Sequence, residues 1–274
     1  MSIDHQILVG MQRGEFAAAA KLQAHVFLGQ LAVTILTSMT VLISNETVLY
    51  MFMLIALLIY LYTFSLQMRY RESRSQAERA RRATLLMDGL GEQISQSELR
   101  TLELDFTISS EAGKSYEDKD YYSTTSSPGE KRFTDMLDES TFWSAALMRK
   151  SANKTYVLFA LFFGIGVFLL FFSVPFISIN HLEWFVRAFC SLLVFIISSN
   201  VYGAASAYSD AANKLEKLVP RIAALKNAGF PKADLLLIFS DYNSAVEGGP
   251  MVACRVYDKH KDHLNKLWTK HQLP

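Results

Sequence analysis

The sequence predicts an all-α integral membrane protein: two transmembrane helical hairpins, four spans in all, with a mostly helical cytoplasmic module formed by the middle insert and the C-terminal tail. Composition is the first observation, because 51% of the 274 residues are hydrophobic and only 19% are charged, against about 25% charged in ordinary soluble domains. Clustering is the second, because the apolar residues concentrate in four blocks, Val26–Ile43, Thr47–Leu66, Tyr156–Ile179 and Trp184–Tyr202. The third is the position of the basic residues, all of which except Arg187 lie outside these blocks.

Each block has the length and composition of a membrane span. About 20 mostly apolar residues cross a bilayer as a helix. The first three blocks carry no charge, and the fourth carries only Arg187, near its start. The first block is short and contains Gln30, but it still fits a tilted or snorkelling span. Four buried helices of a soluble bundle are the alternative, but they would need polar faces, and Tyr156–Ile179 has almost none.

Basic residues define the predicted topology. They follow the second block and flank the last two blocks, whereas the short connections at 44–46 and about 180–183 have none. Because Lys and Arg accumulate on the cytoplasmic side of spans, both termini and the middle insert are predicted to be cytoplasmic. The predicted organisation is an N-terminal helix with the first hairpin (1–66), a cytoplasmic insert (67–154), a second hairpin (155–203) and a cytoplasmic helical tail (204–274).

The first hairpin is predicted to extend as helix beyond both of its spans. Residues 1–25 are rich in helix formers and have no breaker in their second half, so a helix runs from them into the first span. Residues 67–99 begin as a continuation of the second span, an Arg- and Ala-rich helix that ends at the Gly-Leu-Gly of 89–91. Ser95 then begins a short helix, because Glu98 completes a capping box with it.

The insert ends in a helix that leads into the third span. Residues 104–127 are polar and predict an extended pair or an irregular loop. Ser127, Pro128 and Glu130 then mark a helix start, with Ser as the cap, Pro at the first helical position and Glu three residues after the cap. Apolar residues recur at helical spacing as far as Lys154. We interpret this segment as a membrane-proximal coupling helix.

Three helices are predicted for the tail. The first continues the fourth span and contains Pro220, where a kink is expected. The second has Pro231 near its start and stops at the Gly-Gly-Pro of 248–250, and the third follows it. Insert and tail together are large enough for a small folded module.

The sequence shows no signature of catalysis. It has no phosphate-cradling P-loop and no nucleophile elbow. His260 and His263 share a helix, but no third metal ligand is evident beside them. Cys190 and Cys254 suggest neither a disulfide framework nor a metal site. We therefore predict a protein that is not an enzyme and has no cofactor and no metal.

The arginines and the aromatic residues of the insert can each be interpreted in more than one way. Six arginines lie between residues 69 and 82, and they indicate either a patch on anionic lipid or a site for a phosphorylated anion, which Arg binds bidentately. The paired aromatics Tyr121-Tyr122 and Phe142-Trp143 are interfacial anchors, core residues, or a surface on which nucleobases stack.

Polar residues within the spans suggest where a pore would form. One stripe lies on the first span and one on the fourth, and the candidate pore-lining residues are Gln30, Thr34, Thr37, Arg187, Ser191 and Ser198. Such residues face other helices or water rather than lipid. They either bond helices within one protomer or line a lumen. Four helices leave little room for water, so a pore requires a homo-oligomer.

This organisation resembles a known family. The shared features are two spans, a cytoplasmic insert, a "YY…FWSAAL" stretch leading into two more spans, and a helical tail. Here Tyr121, Tyr122, Phe142, Trp143 and Leu147 carry the middle feature. "RARRATLLMDGLG", "FSDYNSAVEGGP" and "YDKHKDHLNKLW" look like further segments of the family type. The chain is similar to the SMODS-associated four-transmembrane pore-forming effectors of bacterial antiphage systems.

The resemblance implies a function. The protein would sit in the bacterial inner membrane, bind a cyclic nucleotide made by a partner synthase, and perforate the membrane when that nucleotide activates it or releases it. The expected partners are the bilayer, the nucleotide and further copies of the chain, with no DNA or RNA polymer. The candidate ligand contacts are Arg79, Arg82, Tyr122, Arg132, Trp143 and Arg149. A membrane scaffold or small channel without a nucleotide, and a membrane-bound enzyme, are the alternatives.

Overall fold

The computed structural model describes residues 5–40, 43, 45–118, 121–173, 186, 189, 201–252 and 254–271, and these residues are helical apart from their connections. The helices are α1 (His5–Met39), α2 (Glu46–Thr84), α3 (Gln96–Asp105), α4 (Ser110–Lys114), α5 (Glu130–Ser173), α6 (Val201–Asn227), α7 (Lys232–Gly248) and α8 (Cys254–His271). A π-helical segment, Leu85–Leu90, extends α2. The predicted all-α class is confirmed for this part of the chain.

Three of the described helices are long and apolar enough to cross a membrane. They are Gln6–Met39, Glu46–Leu90 and Glu130–Phe168. These helices contain the whole of the second predicted span and most of the first and the third, and they indicate a membrane protein. The predicted fourth span, Trp184–Tyr202, lies almost entirely outside the described residues.

The chain divides into two compact units. Residues 1–20, 70–152 and 206–274 form one, here called the head unit, and residues 21–69 and 153–205 form the other, the membrane unit. Helices α1, α2 and α5 each contribute residues to both units. The predicted boundaries at 66–67 and 154–155 lie close to these divisions.

The membrane unit presents apolar side chains outward. Tyr50, Leu58 and Phe171 are among its exposed large hydrophobic residues, as expected for helices solvated by lipid. Gly29 of α1 lies against Thr63 of α2, because a Cβ at Gly29 would collide with the Thr63 hydroxyl oxygen. The small residue thus allows the two helix backbones to approach closely.

The head unit has a conventional hydrophobic core. Its largest cluster joins the end of α2 to α5, α6 and α7, and it includes the fully buried residues Leu85, Phe133, Leu215, Ile222 and Leu235. A smaller cluster packs Leu147 of α5 against Val256 and Leu264 of α8. The apolar stripe predicted for the coupling helix therefore belongs to this core.

The Gly-Leu-Gly segment ends the α2 extension as predicted. Gly91 adopts φ +72° after the π-helical segment, a conformation that glycine takes without steric cost. Gly89 is a packing site, because a Cβ there would lie 2.7 Å from the Phe133 ring. Its carbonyl accepts the N–H of Gly129 at 2.8 Å. Helix α5 begins after this bond, at Glu130 rather than at Pro128.

The polar segment between α3 and α5 is only partly irregular. Ser95 caps α3 by accepting the Glu98 N–H at 3.3 Å, as predicted. An additional one-turn helix, α4, follows and is capped by Ser109. The described part of 104–127 contains no strand, so the extended pair considered for it is not formed there.

A buried carboxylate joins this segment to the long helices. Glu15 of α1 is fully buried. It accepts hydrogen bonds from the Ser73 hydroxyl of α2 at 2.5 Å, the Thr107 hydroxyl at 2.6 Å, and the N–H groups of Thr107 and Ile108. Four donors replace the water that the charge loses on burial.

Candidate ligand cavity

The head unit contains a cavity of about 440 Å³. Its wall is built from α1, α2, α5, α7 and α8, together with residues of the segment that precedes α5 and of the connection between α7 and α8. The volume lies within the range of small-molecule sites, about 300–1,000 Å³. Every lining residue belongs to the head unit.

Aromatic side chains make up much of the cavity wall. They are Phe16, Tyr116, Tyr121, Tyr122, Trp143, Tyr242 and Tyr257. Trp143 lies beside Tyr257, with their ring centroids 6.0 Å apart, and Tyr121 meets Tyr122 edge to face at 4.9 Å. Burial raises the pKa of the Tyr122 hydroxyl well above its usual value. That hydroxyl therefore stays protonated at neutral pH.

Arg81 of α2 is the most deeply buried cation of the wall. Its Nη1 lies 2.7 Å from Glu78 Oε2, and its Nη2 donates to Asn243 Oδ1 at 3.1 Å. The guanidinium stands 5.1 Å from the ring centroid of Tyr242, close enough for a cation–π interaction. Glu78 is buried as well, so the two charges compensate each other away from water.

Two further arginines line the cavity. Arg74 donates through Nη2 to the carbonyls of Val246, Glu247 and Gly249, so it caps the C-terminal end of α7, where the helix dipole favours a cation. Arg13 of α1 donates to the Tyr116 carbonyl at 2.8 Å and pairs with the half-exposed Asp118.

Besides Glu78 Oε2, which forms the ion pair with Arg81 Nη1 at 2.7 Å, two buried polar atoms of the wall have no hydrogen-bond partner within the described part of the chain. They are Gln12 Oε1 and Arg81 Nε. Gln12 is 2% exposed and Arg81 is 6% exposed, so both side chains are buried in the wall. The amide nitrogen of Gln12 donates to the Tyr121 hydroxyl at 3.3 Å. Buried polar atoms are normally satisfied, and a polar ligand in the cavity would satisfy these two.

The six predicted ligand contacts do not form one site. Tyr122 and Trp143 line the cavity. Arg79 lies elsewhere, where it bonds Asp105 at 2.5 Å and Glu98 at 3.3 Å. Arg82 lies 3.4 Å from Glu247. These two arginines, which the sequence suggested as phosphate ligands, are thus paired with carboxylates of neighbouring elements.

The remaining two arginines are also paired outside the cavity. Arg132 binds both carboxylate oxygens of Asp88 at 2.9 Å and the carbonyls of Thr124 and Ser126. Arg149 bonds Glu216 through Nε and Nη2 at 3.0 and 2.8 Å. Arg132 therefore fixes the start of α5, and Arg149 joins α5 to α6.

Half of the predicted pore-lining residues are described. The hydroxyls of Thr34 and Thr37 donate to carbonyls of their own helix, those of Gln30 and Val33. Gln30 and Thr37 are exposed in the single chain. The other three candidates, Arg187, Ser191 and Ser198, lie outside the described residues.

Several cavity residues were not among the sequence candidates. Arg74, Glu78 and Arg81 are spaced i, i+4 and i+7 on α2, so they share one helix face, and this spacing was a usable signal. Gln12 and Arg13 had no comparable signal, because single polar residues on a helix are usually solvated.

No protein-family model, curated protein or solved structure matches this chain. The likeness to four-transmembrane effectors therefore stays a prediction from the sequence.

Proposed function

We propose that this protein is a membrane effector of a bacterial antiphage system that forms or opens an inner-membrane pore under the control of a cyclic nucleotide. One observation carries the proposal. The helices that supply most of the cavity wall, α1, α2 and α5, are the same three that continue as segments of membrane length. A ligand held among them acts on helices that enter the bilayer.

The cavity wall suits a nucleotide. Its aromatic rings offer faces on which bases stack, an interaction worth about 1–3 kcal/mol per base. Three arginines line it. Arg81 is paired with Glu78, and Arg74 bonds backbone carbonyls. Arg13, whose ion pair with Asp118 is partly exposed, is the one that can bind a phosphate. Guanidinium groups bind phosphate oxygens through directed hydrogen bonds.

Control follows from differential binding. A ligand shifts a conformational equilibrium only as far as it binds one state better than the other. In this proposal the cavity has one width when the pore is closed and another when it is open. A nucleotide that fits the open state activates the effector, and one that fits the closed state holds it shut. In a homo-oligomer the stripe of Gln30, Thr34 and Thr37 faces the lumen.

Membrane potential in a bacterial host tests the proposal. The chain is expressed alone and with cyclic-nucleotide synthases, and potential is followed with a voltage-sensitive dye. We expect depolarisation that depends on a synthase in one direction or the other. Trp143→Leu, which alters the cavity wall, should abolish this dependence, whereas Arg79→Ala, outside the cavity, should preserve it.

A membrane potential that stays constant under all conditions, with the chain present in the membrane, would contradict the pore hypothesis. A membrane scaffold would then be the better interpretation. Turnover of a substrate by the purified chain would favour an enzyme instead.

A further inference from the structure

Gln12 Oε1 and Arg81 Nε, which have neither a hydrogen bond nor an ion pair within the described residues, need complementary partners. Gln12 Oε1 is an acceptor and needs a donor, whereas Arg81 Nε is a donor and needs an acceptor. Both side chains are more than nine-tenths buried and line the cavity. A ligand that satisfies both must therefore carry a donor and an acceptor.

Ionised phosphate does not meet this requirement. Its oxygens only accept hydrogen bonds, so it leaves Gln12 Oε1 unsatisfied and places a negative charge against that oxygen. The charge of Arg81 is moreover already balanced by Glu78 at 2.7 Å and approached by Glu247 at 3.7 Å. A neutral acceptor suits the Arg81 Nε better than a further anion.

Nucleobase edges carry the required pair of groups. A base presents an exocyclic amino group or ring N–H beside a ring nitrogen or carbonyl oxygen. The aromatic residues of the same wall supply faces for its ring. A ribose hydroxyl also donates and accepts hydrogen bonds, but ribose has no aromatic ring that could stack on these residues.

We propose that Gln12 and Arg81 read the base of the bound nucleotide, with Gln12 Oε1 accepting an N–H of the base and Arg81 Nε donating to its ring nitrogen or carbonyl. This assignment rests on the proposed function, because it names the recognition elements of the same cavity. It makes Gln12 a specificity-determining residue.

The phosphates then bind at Arg13. This side chain is 36% exposed, and its partner Asp118 is 42% exposed. Exposed ion pairs contribute little to stability, so a phosphate can compete for the guanidinium. Arg74 holds the end of α7 and keeps that role.

Binding to the detergent-solubilised full chain tests the assignment. The probes are cyclic di-AMP, cyclic di-GMP and cyclic UMP-AMP, with ribose 5-phosphate and pyrophosphate as ligands that lack a base. The variants are Gln12→Met, which removes the amide acceptor at similar volume, and Gln12→Glu, which retains an acceptor. Gln23→Met, on the same helix but outside the cavity, is the matched control. Thermal melting of each unliganded variant establishes that it is folded.

We expect Gln12→Met to weaken the best-binding nucleotide by about 5- to 150-fold, the range for a buried donor left without its acceptor. Gln12→Glu should lose less, and Gln23→Met should bind like the wild type. Binding of the two base-free probes should change by less than about 2-fold in Gln12→Met, because charge pairing at Arg13 is untouched.

Two results would count against the assignment in different ways. Equal nucleotide binding by the wild type and Gln12→Met, or an equal loss for pyrophosphate, would overturn base reading and leave the proposed function standing. Failure of every cyclic nucleotide to bind the wild type would overturn both.

Discussion

At the scale of single residues, the head unit handles buried charge by pairing it locally. Arg81 has Glu78, Asn243 and the Tyr242 ring within reach, and Glu15 has four hydrogen-bond donors. A buried ion that loses its partners costs several kcal/mol. These side chains are therefore expected to tolerate substitution poorly, although neither sits in a conspicuous motif.

Glu15→Ala should lower the free energy of unfolding of the head unit by about 3 kcal/mol. The change leaves the N–H groups of Thr107 and Ile108 and the Thr107 hydroxyl without their acceptor, at about 1–3 kcal/mol for each group that stays dry. Thermal melting of the detergent-solubilised chain, followed by circular dichroism, measures the effect. Glu103→Ala removes an exposed carboxylate of α3 and should melt like the wild type. Equal melting of both variants would contradict the role of Glu15.

At the scale of elements, the N-terminal part of α1 is held by close backbone contact. Gly10 lies against α4, because a Cβ at Gly10 would be 2.6 Å from the Gly113 carbonyl oxygen. Gly113 faces Met11 in the same way, because a Cβ at Gly113 would collide with the Met11 sulfur. A one-turn helix thus packs on α1 through glycine at both surfaces.

Gly10→Ala should destabilise this packing by about 1–3 kcal/mol, the usual cost of overfilling a tight contact. The clash is with backbone, which has no rotamer to relieve it. Gly248→Ala is the matched control, since a Cβ at this position of α7 meets nothing within 4 Å. Proteolysis of the folded chain near α4 measures local opening. We expect faster cleavage in Gly10→Ala alone, and equal rates in the two variants would refute the tight contact.

Local signals predicted most of the helices, and non-local contacts explain the remainder. Ser95 and the Gly-Leu-Gly of 89–91 act within a few residues, so their effects were readable from the sequence. Helix α4 packs on Gly10, about a hundred positions earlier in the chain, and no local pattern indicates this contact. Helix α5 begins at Glu130 instead of the predicted Pro128, and Gly129, directly before it, donates its N–H to the Gly89 carbonyl across the fold.

The candidate site shows the same limit more strongly. Stacking aromatics could be proposed from the sequence, and Tyr122 and Trp143 do line the cavity. The arginines could not be sorted, since their partners are distant in sequence: Arg79 meets Asp105 26 positions away, and Arg74 meets Glu247 173 positions away. Which guanidinium remains for a ligand is decided by tertiary packing.

At the scale of the whole molecule, α5 carries both cavity and membrane residues in one unbroken helix, Glu130–Ser173. Movement of the half of α5 that lines the cavity reaches the membrane half only if the helix resists bending at the junction between these halves. Asn153 and Lys154 lie at this junction and are exposed. They can be changed without disturbing a core contact.

Asn153→Gly with Lys154→Gly should uncouple the pore from its ligand. Each glycine weakens the helix by about 1 kcal/mol relative to alanine, which softens the junction. Nucleotide affinity should stay within about 2-fold, since no cavity residue changes, while synthase-dependent control of membrane potential is lost. The pair Asn153→Ala and Lys154→Ala keeps a strong helix and should retain control. Identical control in both pairs would show that α5 does not transmit the signal.

The tryptophan of the cavity wall has a consequence for spectroscopy. The chain has three tryptophans: Trp143 lines the cavity, Trp268 donates its indole N–H to the Ser123 hydroxyl at 3.0 Å, and Trp184 lies outside the described residues. Replacing Trp184 and Trp268 by Phe leaves Trp143, in the cavity wall, as the single tryptophan fluorophore. In the proposed complex a base stacked on this indole would quench its emission, so Trp143 would report on ligand binding.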